Sequence, residues 1–109
     1  MNDLAKVFDS KLLKMLSEPV RIEILKVLAV GGRMDIGSIT EQLPQDRSVI
    51  SRHLSAMHDV GLLLAEKDGR HKIYELDGLF ILKQLEGMTD AIRGFFMACC
   101  PEMLQENSE

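Results

Sequence analysis

Apolar residues recur three and four positions apart along most of this chain, which is the spacing of helices that bury one face. The pattern predicts a helix over residues 2–15 and a long final helix over about 78–100. Three shorter helices lie between them. Their boundaries are marked by a Gly-Gly pair, a proline turn and two aspartates placed to cap helix starts: Gly31, Gly32, Pro44, Asp35 and Asp46.

The hydrophobic period changes after Gly61. Residues 62–67 and 70–76 have the pattern of two β-strands. Asp68-Gly69 between them is a strong hairpin signal, because a type I′ turn needs positive φ at both central positions. We therefore predict one domain over residues 1–109, mainly α with a small β-hairpin (α+β).

The helix before this hairpin has two different faces. Ile50, Leu54 and Met57 form an apolar side, whereas hydroxyls, a guanidinium and imidazoles occupy the rest. A short helix precedes it across the turn at Pro44, and the hairpin follows. A winged helix-turn-helix protein needs this order to lay one helix in the major groove of DNA with a β-wing beside it. We therefore predict a sequence-specific DNA-binding protein.

Charge changes this picture little. The 109 residues carry a formal charge of −4, which by itself disfavours a nucleic-acid partner. Distribution matters more than the total. Between Arg47 and Lys72 there are five basic residues against three acidic ones, and the tail after Pro101 has three glutamates and no base. The predicted DNA-binding face is therefore locally basic.

Several protein classes are disfavoured by what the sequence lacks. No apolar run is long enough to span a bilayer, and the first residues lack the basic and apolar regions of a signal peptide. We expect a cytoplasmic protein with no membrane partner and with its two cysteines reduced. A Cys-x-x-Cys pair, a base beside a cysteine and a Gly-rich phosphate loop are all absent, so we expect no enzymatic activity.

Three segments resemble, in the same order, motifs of the ArsR/SmtB family of bacterial repressors. Residues 16–25, LSEPVRIEIL, resemble the L-x-x-P-x-R-x-x-I-L segment. Residues 50–54, followed by Gly61-Leu62, resemble the V-S-x-H-L…G-L recognition helix. Residues 68–76 resemble the G-R-x-x-x-Y-x-L wing. The resemblance covers about residues 10–100 and implies a winged helix-turn-helix transcriptional repressor of the arsenic-responsive type.

The family resemblance also implies a homodimer that pairs through its first and last helices, about 2–15 and 78–100. The last helix agrees, because its apolar residues form a seam with the spacing of a coiled coil. The seam consists of Leu82, Leu85, Thr89, Ile92, Phe96 and Cys99. Two copies on a palindromic operator in double-stranded DNA gain affinity by multivalency.

Carried over by position, the resemblance places Ser48, Ser51 and Arg52 on the groove-facing side of the recognition helix. An arginine there can read a guanine through O6 and N7 or hold a phosphate. His53 lies between Ile50 and Met57 in helical spacing, so a structural role and a DNA contact both stay open. The predicted DNA-binding residues, including the basic hairpin tip, are Arg47, Ser48, Ser51, Arg52, His53, Lys67, Arg70 and Lys72.

Members of this family usually leave DNA when they bind a metal or metalloid, or when a thiol is oxidised. The family's cysteine pair on the third helix would fall near residues 34–37, where this chain has no cysteine. The family's zinc site on the last helix needs histidines, and all three histidines here precede that helix. We therefore expect no zinc site and no required cofactor.

Cys99 and Cys100 are the remaining candidates for an inducer site. Neighbours on a helix point about 100° apart, so packing in the seam explains only Cys99. Pro101 disfavours helical geometry at Cys100, which lets the two sulfurs converge. Some arsenic-responsive family members are similar in having a Cys-Cys pair at this position. We therefore predict a site for trivalent arsenic, in which two thiolates suit methylarsenite and arsenite requires a third.

Three alternatives stay open. The pair Cys99 and Cys100 could sense redox state without a metal, or could simply pack in the seam. The whole domain could also be a winged helix that binds protein, in which case it would lack salt-dependent DNA binding.

Overall fold

A computed structural model describes residues 3–106 of the chain. It confirms the predicted fold class, a mainly helical domain with a small antiparallel sheet in the order of a winged helix-turn-helix. Within the described residues the elements are α1 (Asp3–Phe8), α2 (Lys11–Met15), α3 (Pro19–Gly31), β1 (Met34–Asp35), α4 (Ile36–Glu41), α5 (Arg47–Asp59), β2 (Leu63–Asp68), β3 (His71–Leu76), α6 (Gly78–Cys99) and a 3₁₀ helix (Pro101–Leu104).

The hydrophobic core forms where helices α2 to α5 meet one side of the sheet. The predicted inner face of α5 is confirmed, since Ile50, Leu54 and Met57 have no solvent exposure. They pack in one cluster with Ile39 of α4 and Tyr74 of β3. Burying a side chain of this size stabilises the fold by about 1.5–3 kcal/mol. The orientation of α5 about its own axis is therefore fixed by its buried face.

The N-terminal region differs from the prediction. The continuous helix expected over residues 2–15 is wrong, because α1 and α2 are separate helices. Ser10 caps α2, and its hydroxyl accepts a hydrogen bond from the backbone N–H of Leu13 at 3.2 Å. A serine side chain that bonds to the backbone favours a helix start over a helix interior. Asn2, where the predicted helix begins, lies outside the described residues.

The sheet has three strands, one more than predicted, in the order β1-β3-β2. The additional strand β1 has only two residues, and Met34 of β1 pairs with Tyr74 of β3. So short a strand has no alternating pattern to reveal it in the sequence. Its pairing attaches the hairpin to the segment that leads into α4.

The hairpin turn lies one residue later than predicted. Asp68 pairs with His71 at the ends of the strands, which leaves Gly69 and Arg70 as the loop. Gly69 has a φ of 62°, and no described residue other than glycine has a positive φ. The expected type I′ turn at Asp68-Gly69 is therefore wrong. A glycine at the first loop position is the preference of a type II′ turn.

Helix α6 has 22 residues and agrees with the predicted range 78–100 except at Cys100, which precedes a proline and leaves the helix. Its start is attached to the core. The backbone N–H of Asp77 donates to the carbonyl of Leu62 at 2.9 Å, and the carboxylate of Asp77 accepts from the N–H of Phe80 at 3.1 Å. The start of α6 thus lies beside Leu62, in the segment that follows α5.

Gly61 makes this close approach possible. Its φ is 101°, and a Cβ added there would lie 2.8 Å from a ring carbon of Phe80. Any other residue would combine backbone strain with a steric clash. The glycine predicted to stop α5 therefore also forms the contact between α5 and α6.

The rest of α6 has few contacts with this chain. None of its residues is buried, and Leu82 and Leu85 of the predicted seam are 55% and 49% exposed. Helix α1 packs along it, and Phe80, Ile81 and Met88 of α6 pack against the core. The seam is therefore a largely uncovered apolar surface in the single chain.

Candidate nucleic-acid interface

The helix-turn-helix is formed by α4, the turn around Pro44, and α5. The carboxylate of Asp35 caps α4, accepting a hydrogen bond from the N–H of Ser38 at 2.8 Å. Asp46 is the N-cap residue of α5, although its side chain makes no capping hydrogen bond. Both predicted helix starts are thus confirmed, and the two helices pack on each other.

The side of α5 opposite its buried face is polar and exposed. Ser48, Arg52 and Ser55 lie along it, at the spacing of three, four and seven residues that aligns side chains on a helix. Ser51 lies at the edge of this stripe and is half-buried. The sequence analysis missed Ser55, although its position seven residues after Ser48 is a signal for it. We call Ser48, Arg52 and Ser55 the exposed stripe of α5.

Arg47 is exposed in the first turn of α5. Its guanidinium lies beside Gly37 of α4, close enough to Asp35 for their charges to interact. Neither Arg47 nor Arg52 forms an ion pair within residues 3–106. Both guanidinium groups are therefore available to an anion outside the chain.

His53 is placed differently from its neighbours. It is half-buried, and its Nδ1 accepts a hydrogen bond from Nε of Arg21 in α3 at 3.2 Å. The structural role left open by the sequence is therefore present in the folded chain. Since Nε2 of His53 has no hydrogen-bond partner among the described residues, this contact leaves a DNA contact open as well.

The wing places its lysines together. Lys67 of β2 pairs directly with Lys72 of β3, so the two side chains leave the same side of the sheet as buried Tyr74. Like charges directly opposite each other in a sheet are destabilising. The Lys72 ammonium lies 5.6 Å from the centre of the Tyr74 ring. An anion between the two lysines would relieve their repulsion, and Arg70 is exposed in the adjacent loop.

The opposite side of the sheet is acidic, because side chains alternate between the two sides along each strand. Glu66, Asp68 and Glu75 lie on it, together with Asp35 of β1. His71 also lies there, with its Nδ1 3.3 Å from a carboxylate oxygen of Asp35. The two sides of the wing therefore have opposite charge.

Asp35 links the wing to the helix-turn-helix. The N–H of Ser38 lowers the pKa of its carboxyl most, followed by the Ser38 hydroxyl, and the charges of His71 and Arg47 add to this, while partial burial opposes it. The carboxylate form is thus favoured by contacts with α4, β3 and α5. Asp35 is therefore ionised at neutral pH.

Cys99 and Cys100 lie together at the end of α6, joined by a disulfide. The structure joins the two sulfur atoms, whereas the sequence analysis expected two reduced thiols. The physical reason is proximity, since Cys100 leaves the helix before Pro101 and its sulfur reaches that of Cys99. The predicted convergence of the two sulfurs is what the structure contains.

Two further observations concern metals and membranes. Within residues 3–106, no three His, Cys, Asp or Glu side chains form a cluster able to hold a metal ion. The helices in this part of the chain are too short or too polar to cross a membrane.

Comparisons with known proteins agree with this geometry. A family model described as "Bacterial regulatory protein, arsR family" matches residues 18–64. The chain is 32% identical over 65 residues to a helix-turn-helix-type transcriptional regulator of Methanocaldococcus jannaschii, covering 60% of this chain and 73% of that one. It is 31% identical over 72 residues to the arsenical resistance operon repressor of Staphylococcus xylosus, covering 66% and 68%.

Among solved structures, the chain is similar to an ArsR-like transcriptional regulator from Rhodococcus sp. RHA1. The TM-score is 0.69 with 26% identity, and the alignment covers 97% of this chain and 95% of that one. The likeness extends over α6 as well as the helix-turn-helix and wing.

Proposed function

Because the chain belongs to the arsR family of bacterial regulatory proteins and is a transcriptional regulator, we propose that it is a homodimeric repressor released from its operator by trivalent arsenic. The main support for DNA binding is the exposed stripe of α5. Its polar side chains lie opposite a fully buried face, so α5 is held rigidly while its outer side stays open. A rigid helix with hydroxyls and a guanidinium outward suits a major groove.

The basic side of the wing supports the same proposal. Lys67 and Lys72 repel each other in the free protein, and a backbone phosphate would turn this repulsion into attraction. Arg70 adds positive charge in the adjacent loop, and Arg47 adds an exposed guanidinium in the first turn of α5. Such contacts fix the register of a protein on DNA, while the α5 side chains distinguish bases.

The uncovered seam of α6 supports the homodimer. Leu82 and Leu85 of the seam are about half exposed, and outside the seam Met97 of α6 and Phe8 of α1 are 58% and 66% exposed. Monomeric proteins rarely expose large contiguous apolar surfaces, and such surfaces mark interfaces. A second copy packed through α1 and α6 would cover the seam and place two recognition helices on one operator.

The adjacent cysteines support a thiol-binding inducer. A thiol reductant such as glutathione would first reduce the disulfide, giving two cysteine thiols and oxidised glutathione. Methylarsenite, with two hydroxyl groups on arsenic, then reacts with both thiols. Two As–O bonds break, two As–S bonds form, and two water molecules leave. The oxidation state of arsenic stays +3 throughout.

Inducer binding would act on DNA affinity through α6. This helix connects Cys99 at one end with Phe80 at the other, and Phe80 contacts Gly61 at the end of the recognition helix. A change at the cysteines that reorients α6 would alter the spacing of the two recognition helices. A coupling of roughly 1–3 kcal/mol is enough to change operator occupancy several-fold or more.

A second candidate is a redox-sensing repressor, which the Cys99–Cys100 disulfide favours. In this alternative the switch is the two-electron oxidation of the two thiols, without arsenic. Both candidates use the same cysteines and the same helix, so only the chemistry of release separates them.

The test is a mobility-shift assay with the DNA upstream of this protein's own gene, in the presence of a thiol reductant. We expect binding that weakens steeply with salt and release by methylarsenite at lower concentration than by zinc or cadmium. The variant Cys99→Ser, Cys100→Ser should bind DNA like the parent and stay bound with methylarsenite. If the variant is released as readily as the parent, the sensor proposal is wrong. Release by peroxide in the absence of arsenic supports the redox alternative.

A further inference from the structure

One arginine joins three segments of the chain behind the recognition helix. Arg21 in α3 donates from Nε to Nδ1 of His53 in α5 at 3.2 Å, and from a terminal guanidinium nitrogen to the carbonyl of Met15 at 3.2 Å. Met15 is the last residue of α2, where helix carbonyls lack partners within the helix. Arg21 therefore links α5 to α3 and to the end of α2.

This contact requires a hydrogen-bond acceptor at Nδ1 of His53. A guanidinium has only donors and stays charged at any ordinary pH. Nδ1 of His53 must therefore accept through its lone pair, which means that it is unprotonated. In this contact a neutral ring has its single proton on Nε2.

In the described part of the chain, no carboxylate pairs with Arg21 or His53 to compensate a second cation. Among residues 3–106, neither Arg21 nor His53 forms an ion pair. The acidic residues near or on the elements that pack against α5 pair elsewhere or not at all. They are Glu18 and Glu23 at α3, Glu41 in α4, and Glu66 and Asp68 in β2. On α5 itself the other charged or titratable residues are Arg47, Arg52, His58 and Asp59, and Asp59 lies near His58. The remaining basic residues of α3 and β2 are Lys26 and Lys67.

We propose that Arg21 is a positioning residue for DNA recognition, which holds His53 in its neutral, Nε2-protonated form so that Nε2–H is a donor for an oxygen of bound DNA. This inference rests on the proposed function. Nε2 has no partner among the described residues, and His53 is only half-buried, so an outside acceptor can reach it. Protonation of His53 would remove the acceptor for Arg21 and place two cations in contact, so acid weakens the positioning.

The first experiment needs no DNA. The ¹⁵N chemical shifts of the histidine ring nitrogens distinguish the two neutral tautomers and the protonated ring. At pH 8 we expect His53 to be the single Nε2–H tautomer, whereas exposed His58 on the same helix serves as the control with mixed tautomers. In Arg21→Gln, His53 should shift toward the pattern of His58. Protonation at Nδ1 of His53 in the parent, or an unchanged pattern in Arg21→Gln, would overturn the inference.

The second experiment measures operator affinity between pH 8 and pH 6. We expect Arg21→Gln to bind about 3- to 10-fold more weakly at pH 8, the range for one lost hydrogen bond, and Arg21→Lys to recover part of the loss. His53→Asn retains an acceptor near the position of Nδ1 and cannot be protonated. It should keep a correctly folded α5 and lose the part of the pH response that His53 supplies, whereas His58→Asn and His71→Asn should keep that part.

The outcomes separate this inference from the proposed function. If the parent does not bind the operator, the proposed function is contradicted. The tautomer measurement then still tests the contact between Arg21 and His53. Equal affinity of Arg21→Gln and parent, with urea midpoints showing both folded, overturns the positioning role. A His53→Asn variant with the full pH response of the parent also overturns it.

Discussion

Helices α5 and α6 both have apolar residues at helical spacing, but the two helices have opposite environments. The 13 residues of α5 include three side chains with no solvent exposure, whereas none of the 22 residues of α6 is buried. The core around α5 is complete within one chain. The apolar surface of α6 remains open beyond its first turns.

The shape of the chain reflects this difference. Its radius of gyration is 17.4 Å and its longest dimension is 54 Å, whereas a compact chain of this length would have a radius of about 13 Å. Apolar periodicity therefore predicts where a helix forms. It does not predict whether the surface that covers the helix belongs to the same chain.

The largest expected effect comes from charging the α6 seam. Leu82→Glu with Leu85→Glu should convert a dimer into a monomer and weaken operator binding by about 10²-fold or more, because one half-site no longer assists the other. Light scattering and DNA titration measure the two effects. Leu64→Glu is the matched control, since Leu64 lies on the wing and is 48% exposed, like Leu85 at 49%. A dimer that survives the double substitution would contradict the proposed interface.

On the α5 side, truncation should act on folding within one chain. Leu54→Ala removes a side chain with no exposure and should lower the free energy of unfolding by about 2–5 kcal/mol. Leu82→Ala should lower the free energy of unfolding less than Leu54→Ala does, at protein concentrations low enough to dissociate a dimer. Urea denaturation followed by circular dichroism measures both. Equal losses for the two variants would remove the distinction between the helices.

The junction of the two helices should give an intermediate effect. Gly61→Ala forces a side chain into positive φ and against the ring of Phe80, which should cost about 1–3 kcal/mol of stability. The variant Gly61→Ala with Phe80→Leu should recover part of this loss, since it relieves the clash and leaves the backbone strain. No recovery in the urea midpoint would indicate that the ring contact is unimportant.

The smallest effect is expected at Asp35. Its pKa lies below the ordinary value of 3.8, so its ionised form stabilises the folded chain above that pH, and this contribution is lost as the pH falls through the lowered pKa. Asp35→Asn keeps a good helix cap and removes only the charge. The urea midpoint of the variant should lie slightly below that of the parent at pH 7, and the difference should disappear in acid. A difference that grows in acid would have the wrong sign.

The sequence was sufficient for features determined by local chemistry. The buried face of α5, the helix starts at Asp35 and Asp46, and the end of α6 before Pro101 all follow from residues within one or two helical turns. The exposed stripe of α5 follows from the same periodicity, once the buried face is known.

Features that depend on residues far apart in the chain could not be predicted from the sequence. Strand β1 exists only because β3, nearly 40 residues later, pairs with it. The break at Ser10 was hidden because the apolar spacing continues through it. The contact between Arg21 and His53 spans 32 positions, and neither residue's neighbours reveal it.

The opposite charges on the two sides of the wing have a kinetic consequence. A chain with a formal charge of −4 is repelled on average by a polyanion, yet Glu66, Asp68 and Glu75 lie on the side of the sheet opposite Lys67 and Lys72. DNA is repelled when it approaches the acidic side of the wing, and it is attracted when it approaches Lys67 and Lys72. Diffusional approach to DNA is thereby biased toward one orientation before any base is read.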